Sequence, residues 1–209
     1  MDNFVITIAR QYGSGGRTVG EMLAKKLGIG YYDKDIIRMA SEDSGIHETL
    51  FGRVDEYSSA KKPLFGKNGI YSGELISPQS KDFTSDENLF NYQAKIIREL
   101  AEKGESCVII GRCADFILRD HENVLKIFIQ APIEKRIDRI ADKYLIELRD
   151  EAKKEVLRND KLRSTYYRFY TDGKWGDRAR KDLIVNSSIL GIDGTVEFIK
   201  GFVEKRFNL

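Results

Sequence analysis

Residues 11–18, Gln11-Tyr12-Gly13-Ser14-Gly15-Gly16-Arg17-Thr18, bring three glycines, an arginine and two aliphatic hydroxyls into one turn-sized stretch. Glycine removes the side chains that would keep an anion off the backbone, and it reaches the positive φ that a tight turn needs. Where such a turn opens a helix, the leading N–H groups and the helix dipole favour a phosphate. Arg17 adds a permanently charged fork for phosphate oxygens, and Thr18 is placed to offer a hydroxyl to Mg²⁺. The spacing is that of G-x-x-x-x-G-K-[ST] with two departures: Gln11 stands at the first glycine and Arg17 at the lysine. A strand-to-helix turn that merely needs glycine would use the same residues. The context favours the phosphate reading, because an apolar run over 4–9 leads into the turn and the Arg-Thr pair follows it.

Two further groups could do chemistry. Gly111-Arg112-Cys113 ends a second apolar run, and parallel-sheet proteins place ligand groups at the carboxyl ends of strands. An arginine there is equally a surface residue. Residues 158–180 interleave Arg158, Arg163, Arg168, Arg178 and Arg180 with Tyr166, Tyr167, Tyr170 and Trp175. Such a segment can clamp phosphates, or it can be a solvated helix face, as charge runs usually are. The three tyrosines have the spacing of a packed helical face, and both readings hold together. His47 and His121 are isolated from any Ser or Asp partner and read as structural or surface residues, so covalent catalysis has no candidate.

The elements that must position these groups alternate. Strands are expected at 4–9, 31–32, 107–110, 124–130 and 183–186. Helices are expected at 17–27, ending at Gly28; from Asp33 to about 40; and from the capping-box spacing of Thr84 and Glu87 to about 103. Another should start with Pro132 in its first position and carry Ile133, Ile137, Ile140 and Tyr144 as its apolar stripe. A last helix, capped by Asp193, turns Val196, Ile199 and Val203 inward. The pattern predicts an α/β fold with a five-stranded parallel sheet covered by helices on both faces.

The chain has 209 residues and a formal net charge of +2, which fits one domain and excludes a general nucleic-acid binder. We expect a core over 1–42, 84–145 and 181–209, an acceptor flap over about 43–83 with a mobile loop around 61–81, and a basic lid over about 146–180. No apolar run reaches membrane-spanning length, and the amino terminus has no leader pattern. The expected location is the cytoplasm, where Cys107 and Cys113 are plain reduced thiols.

Taken in order, five motifs resemble the cytidylate kinase-like family, a branch of the P-loop nucleoside monophosphate kinases. They are Ile8-Ala9-Arg10-Gln11-Tyr12-Gly13-Ser14-Gly15-Gly16-Arg17, Tyr32-Asp33-Lys34-Asp35-Ile36-Ile37, Ile109-Ile110-Gly111-Arg112, Tyr166-Tyr167-Arg168-Phe169-Tyr170-Thr171 and Asp182-Leu183-Ile184-Val185-Asn186-Ser187-Ser188. The resemblance implies strand order 2-3-1-4-5, donor ATP and Mg²⁺ held by Gly13, Ser14, Gly15, Gly16, Arg17 and Thr18, with the metal at Thr18. It implies that Asp33, Arg38 and Arg112 meet the acceptor, a small nucleotide such as CMP or dCMP. Arg158 and Arg163, with Arg17, would serve the transferring phosphoryl group, and Asn186, Ser187 and Ser188 would meet the adenine. Where cytidylate kinases carry lysine and Gly-Arg-Asp, this chain has Arg17 and Cys113. Two alternatives follow from those departures: a kinase for another small metabolite, and a non-catalytic nucleotide sensor.

Overall fold

The computed structural model describes residues 3–55, 71, 73–171 and 173–209; residues 56–70 and 72 of the expected flap and 172 of the expected lid lie outside them. Five strands form one parallel sheet: β1 (Val5–Arg10), β2 (Gly30–Tyr32), β3 (Cys107–Ile110), β4 (Val124–Gln130) and β5 (Leu183–Asn186). Their spatial order is β2-β3-β1-β4-β5. β1 lies between β3 and β4, with Val5 opposite both Cys107 and Val124, and all six of its residues are buried.

The two-residue period of the strands divides the core. Ile6, Ile8, Val108, Ile110, Ile127 and Ile129 face α1 (Gly16–Leu27) and α8 (Ser187–Phe207), where Val19, Leu23, Val196, Ile199 and Val203 meet them. Val5, Cys107 and Ile109 face the other way, toward α2 (Asp35–Ser44) and α4 (Asp86–Glu102). Each fully buried aliphatic side chain in such layers contributes about 1.5–3 kcal/mol. On this second face the chain also forms α3 (Glu48–Phe51) and α5 (Ala114–Ile117), whose Phe51, Ala114 and Ile117 join the same cluster. A third cluster, Ile137, Ile140, Ala152 and Val156, joins α6 (Ile133–Tyr144) to α7 (Arg149–Thr171).

Several boundaries differ locally from expectation. α2 starts two residues after Asp33, which stays buried in the turn. Ser85, not Thr84, caps α4, accepting the Asn88 N–H at 3.3 Å. Pro132 precedes the first turn of α6, its ψ of 143° being extended. α8 begins directly after β5 under an Asn186 cap, and Gly191 (φ 68°, ψ −173°) breaks it just before Asp193. His47 has a structural role, accepting the Thr49 N–H at the start of α3. Tyr144 leaves the α6 stripe and is 53% exposed.

α7 carries an unbroken buried stripe of Ala152, Val156, Asn159, Arg163, Tyr166 and Tyr170. The spacing alternates four and three residues, which keeps one helical face on the body of the protein. Its carboxyl end is locked by a buried trio: the Lys181 ammonium pairs with Asp115, which also accepts from the Tyr167 hydroxyl at 3.0 Å. Among the described residues no helix is long and apolar enough to cross a membrane. Both cysteines are buried and free, and burial pushes the Cys107 thiol up to about 12.

Removing one partner of a buried pair strands the other charge, so Lys181→Met should lose about 3–5 kcal/mol of stability in urea unfolding. The double variant with Asp115→Leu should recover part of that loss. Cys107 should resist alkylation at pH 8.5 in the native protein and react once denatured, because the thiolate is the reacting form.

Candidate active site

The glycine loop lies between the end of β1 and α1, at the carboxyl edge of the central strand. Gly13 (φ 79°) and Gly15 (φ 80°) are left-handed, which only glycine adopts without strain. A Cβ on Gly16 would lie 2.5 Å from Arg10 Cβ, and one on Gly13 would lie 2.8 Å from the Arg136 carbonyl oxygen. α1 starts with no side-chain cap, so its leading N–H groups, which have no intrahelical partner, are left to an anion. Ser14 is fully buried and its Oγ has no partner among the described residues. These features fit a polyphosphate.

The loop's other backbone groups are tied down by side chains from distant elements. The Gln11 Oε1 accepts the Ala131 N–H at 3.1 Å. Asp160, on α7, accepts the Tyr12 N–H at 2.7 Å and binds Arg136 Nη1 at 2.5 Å. Arg136 donates to the Tyr12 carbonyl at 3.2 Å, and Arg139 to the Gly13 carbonyl at 2.7 Å. Ser187 Oγ donates to the Ser14 carbonyl at 2.5 Å. With its carbonyls engaged this way, the loop is preorganised for an anion on its opposite side.

A cavity of about 340 Å³ opens over the loop. Arg10, Arg17, Lys34, Arg139, Lys143 and Arg163 line it, and no acidic side chain does so among the described residues. Burial lowers the affinity of the Arg139 guanidinium for its proton, the direction expected of a cation removed from water. Arg163 is buried, donates to the Arg10 carbonyl at 3.1 Å and sits 5.4 Å from the Tyr12 ring centroid. Burial, then a hydrogen bond with Tyr144, raises the Tyr12 hydroxyl well above the usual range, so it stays neutral at the cavity mouth.

Beside this cavity lies a second polar centre. Gly111, Arg112 and Cys113 all have positive φ (67°, 54° and 56°). For the two non-glycine residues this conformation costs of order 1–3 kcal/mol each, and it aims Arg112 inward. Arg112 Nε donates to the Asp33 carbonyl at 2.8 Å, and Nη1 meets Asp55 at 2.5 Å and Gln93 at 3.4 Å. Asp33, 2% exposed, also pairs with Arg17 Nε at 2.8 Å. Asp33 therefore joins the glycine loop to the Arg112 centre.

The structure brings Gly13, Gly15, Gly16, Arg17, Thr18 and Arg163 to one cavity, with Ser14 beneath it and Asp33 and Arg112 adjoining. Thr18 lies exposed on the first turn of α1. Arg158 points to solvent and pairs with Glu155 at 3.2 Å, and Arg38 pairs with Glu42 at 2.7 Å on the exposed side of α2. Ser187 is buried against the loop, while Asn186 accepts the Ser188 N–H and hydroxyl as a helix cap. Sequence reasoning gave no role to Arg10, Arg136, Arg139, Asp160, Asp55 or Gln93. For Arg10 a signal existed: an arginine that closes an otherwise apolar strand immediately before the glycines.

A parallel sheet in this order, with a glycine loop between its first strand and first helix, defines a P-loop kinase. The sequence profile of the cytidylate kinase-like family matches residues 5–189, and the chain belongs to that family. A cytidylate kinase of Archaeoglobus fulgidus is 27% identical over 202 residues, covering 95% of this chain and 94% of that protein. One of Methanoregula boonei is 23% identical over 201 residues, covering 96% and 94%. Among solved structures, an uncharacterized protein from Eubacterium ventriosum aligns with a TM-score of 0.70 at 24% identity, over 97% of this chain and 99% of that one. A shikimate kinase from Bacteroides thetaiotaomicron shares the fold, with a TM-score of 0.53 at 13% identity over 96% and 98% of the two chains.

Asp160→Asn keeps an acceptor for the Tyr12 N–H but removes the charge that holds Arg136. Hydrogen bonds to charged groups contribute about 1.5–3 kcal/mol, so ATP affinity measured by calorimetry should fall about ten-fold or more.

Proposed function

We propose that this protein is an ATP-dependent kinase that phosphorylates a small nucleotide, with CMP or dCMP as the leading acceptor. The observation that carries the proposal is the cationic cavity built over a glycine loop whose carbonyls are tied away from it. Family membership and the cytidylate kinase names of the relatives support the choice of acceptor.

Phosphoryl transfer needs positioning and charge neutralisation more than covalent help. Gly13 to Thr18 would hold the donor phosphates through backbone N–H groups, with Arg17 and Arg139 on their oxygens. The Thr18 hydroxyl would hold Mg²⁺, which when bound neutralises charge on the phosphate oxygens. Arg163, held against β1, would face the transferring group, and Arg112 with Asp33 would form the acceptor end. α7 is bolted to the loop through Asp160 and Arg163, so closure would fall to the turn between α6 and α7. There Leu145 is 87% exposed with φ 53°, an apolar tip beside the cavity mouth. Closure of such a tip excludes water from the reacting phosphates.

A second reading, a kinase for another small metabolite, is favoured by the acceptor end itself. Arg112 is already met by the carboxylates of Asp33 and Asp55, an environment better matched to hydroxyl or amino groups than to a second phosphate.

Coupled-enzyme turnover across all nucleoside monophosphates tests the proposal: CMP or dCMP should be the best acceptor. Turnover with none of them, while ATP still binds, would contradict it. Arg17→Ala should weaken ATP binding by about 10- to 100-fold, the loss of a charge-assisted contact worth about 1.5–3 kcal/mol. Unchanged affinity would show that Arg17 does not replace the P-loop lysine.

A further inference from the structure

Arg17 has two claims on it. Its position on the first turn of α1 places it at the glycine-loop cavity, yet its Nε lies 2.8 Å from Asp33. Asp33 is almost wholly buried while Arg17 is half exposed, with side chains 2% and 55% accessible. The carboxylate is therefore the fixed member of the pair and the guanidinium the movable one. Asp33 is fixed because Arg112 holds it twice, through Nε to its carbonyl at 2.8 Å and through Nη2 at 3.9 Å from its carboxylate. Tyr31, on the strand that precedes Asp33, lies within electrostatic reach of the Arg17 guanidinium. Arg17 is thus anchored toward β2 and the acceptor end.

We propose that Asp33 is a positioning residue that competes with the donor nucleotide for Arg17 and so couples the two substrate sites. A donor phosphate is a stronger partner for the guanidinium than one carboxylate, because it offers several charged oxygens to the fork. Binding draws Arg17 off Asp33, and the Asp33 carboxylate is released toward the acceptor end, where Arg112 remains its cation. An acceptor that donates hydrogen bonds, through hydroxyl or amino groups, then finds a buried carboxylate ready to accept them. A ligand shifts such an equilibrium only by its different affinity for the two arrangements. Here the difference is the Arg17–Asp33 pair, broken in one arrangement and made in the other. The coupling is reciprocal: whatever holds Asp33 at the acceptor end also favours Arg17 on the donor.

This inference rests on the proposal that ATP occupies the glycine loop, and its test separates the two. A merely structural Asp33 would lose nucleotide affinity when mutated. A competing Asp33 does the reverse. Isothermal titration of Mg-ATP should give about two- to five-fold tighter binding to Asp33→Asn than to the unmodified protein, the range for a half-exposed ion pair. In Arg17→Ala the same Asp33→Asn change should have no effect. Tightening that persists undiminished without Arg17 would be a through-space charge effect, and it would overturn the proposal, as would unchanged or weaker binding to Asp33→Asn. Absence of ATP binding by the unmodified protein would overturn the donor-site reading and the coupling with it. Should Asp33→Asn not fold, the unmodified protein carries the test by nitrogen NMR. The Arg17 Nε–H resonance should shift on addition of Mg-ATP, and a resonance unmoved at saturation would overturn the competition.

Discussion

A backbone loop that holds a polyanion must aim its N–H groups at it, and its carbonyls must then find donors elsewhere. That accounting constrains much of this molecule. Arg136, Arg139 and Ser187 take the carbonyls of Tyr12, Gly13 and Ser14, and Asp160 takes the Tyr12 N–H. These groups come from α6, α7 and α8, so three helices far from the loop in sequence must meet at that turn. The α6–α7 cluster, the α7 stripe and the immediate start of α8 after β5 all bring them there. Gln11, standing where the common pattern has glycine, contributes a side-chain acceptor to the β4–α6 connection instead of a free backbone.

The same geometry concentrates charge. A chain of net charge +2 surrounds one cavity with six basic side chains and keeps acids off its lining among the described residues. The acids are present one step behind. Asp160 stands behind the loop and Asp33 beside it, each holding an arginine in place. Arg136, held by Asp160, keeps the loop backbone preorganised, while Arg17, held by Asp33, waits for a phosphate to draw it away. Overall charge is therefore a poor guide to local field here.

Much of the fold was legible because its signals are local. The bounds of β3, β4 and β5 match the apolar runs that define them, since buried parallel strands read as continuous hydrophobic stretches. The site was legible where glycine is obligatory. It was not legible where a role depends on which way a long side chain turns. Arg158 and Arg163 look alike in sequence, yet five residues on a helix separate their faces by about 140° at the helical repeat. Arg163 falls on the buried stripe and Arg158 does not. Arg136 and Arg139 were hidden because reading α6 for its apolar stripe leaves its charged positions without meaning. The Asp33–Arg112–Asp55 centre joins residues far apart in the chain, and no spacing pattern announces it.

The most direct test is a crystal structure of the protein with a non-hydrolysable ATP analogue and Mg²⁺. The phosphates should lie on the amides of Gly13 to Thr18, with Arg17 turned from Asp33 onto a phosphate oxygen and the Tyr12 and Gly13 carbonyls still held by Arg136 and Arg139. A nucleotide bound away from the loop, or a loop whose carbonyls turn to face it, would contradict the donor-site assignment.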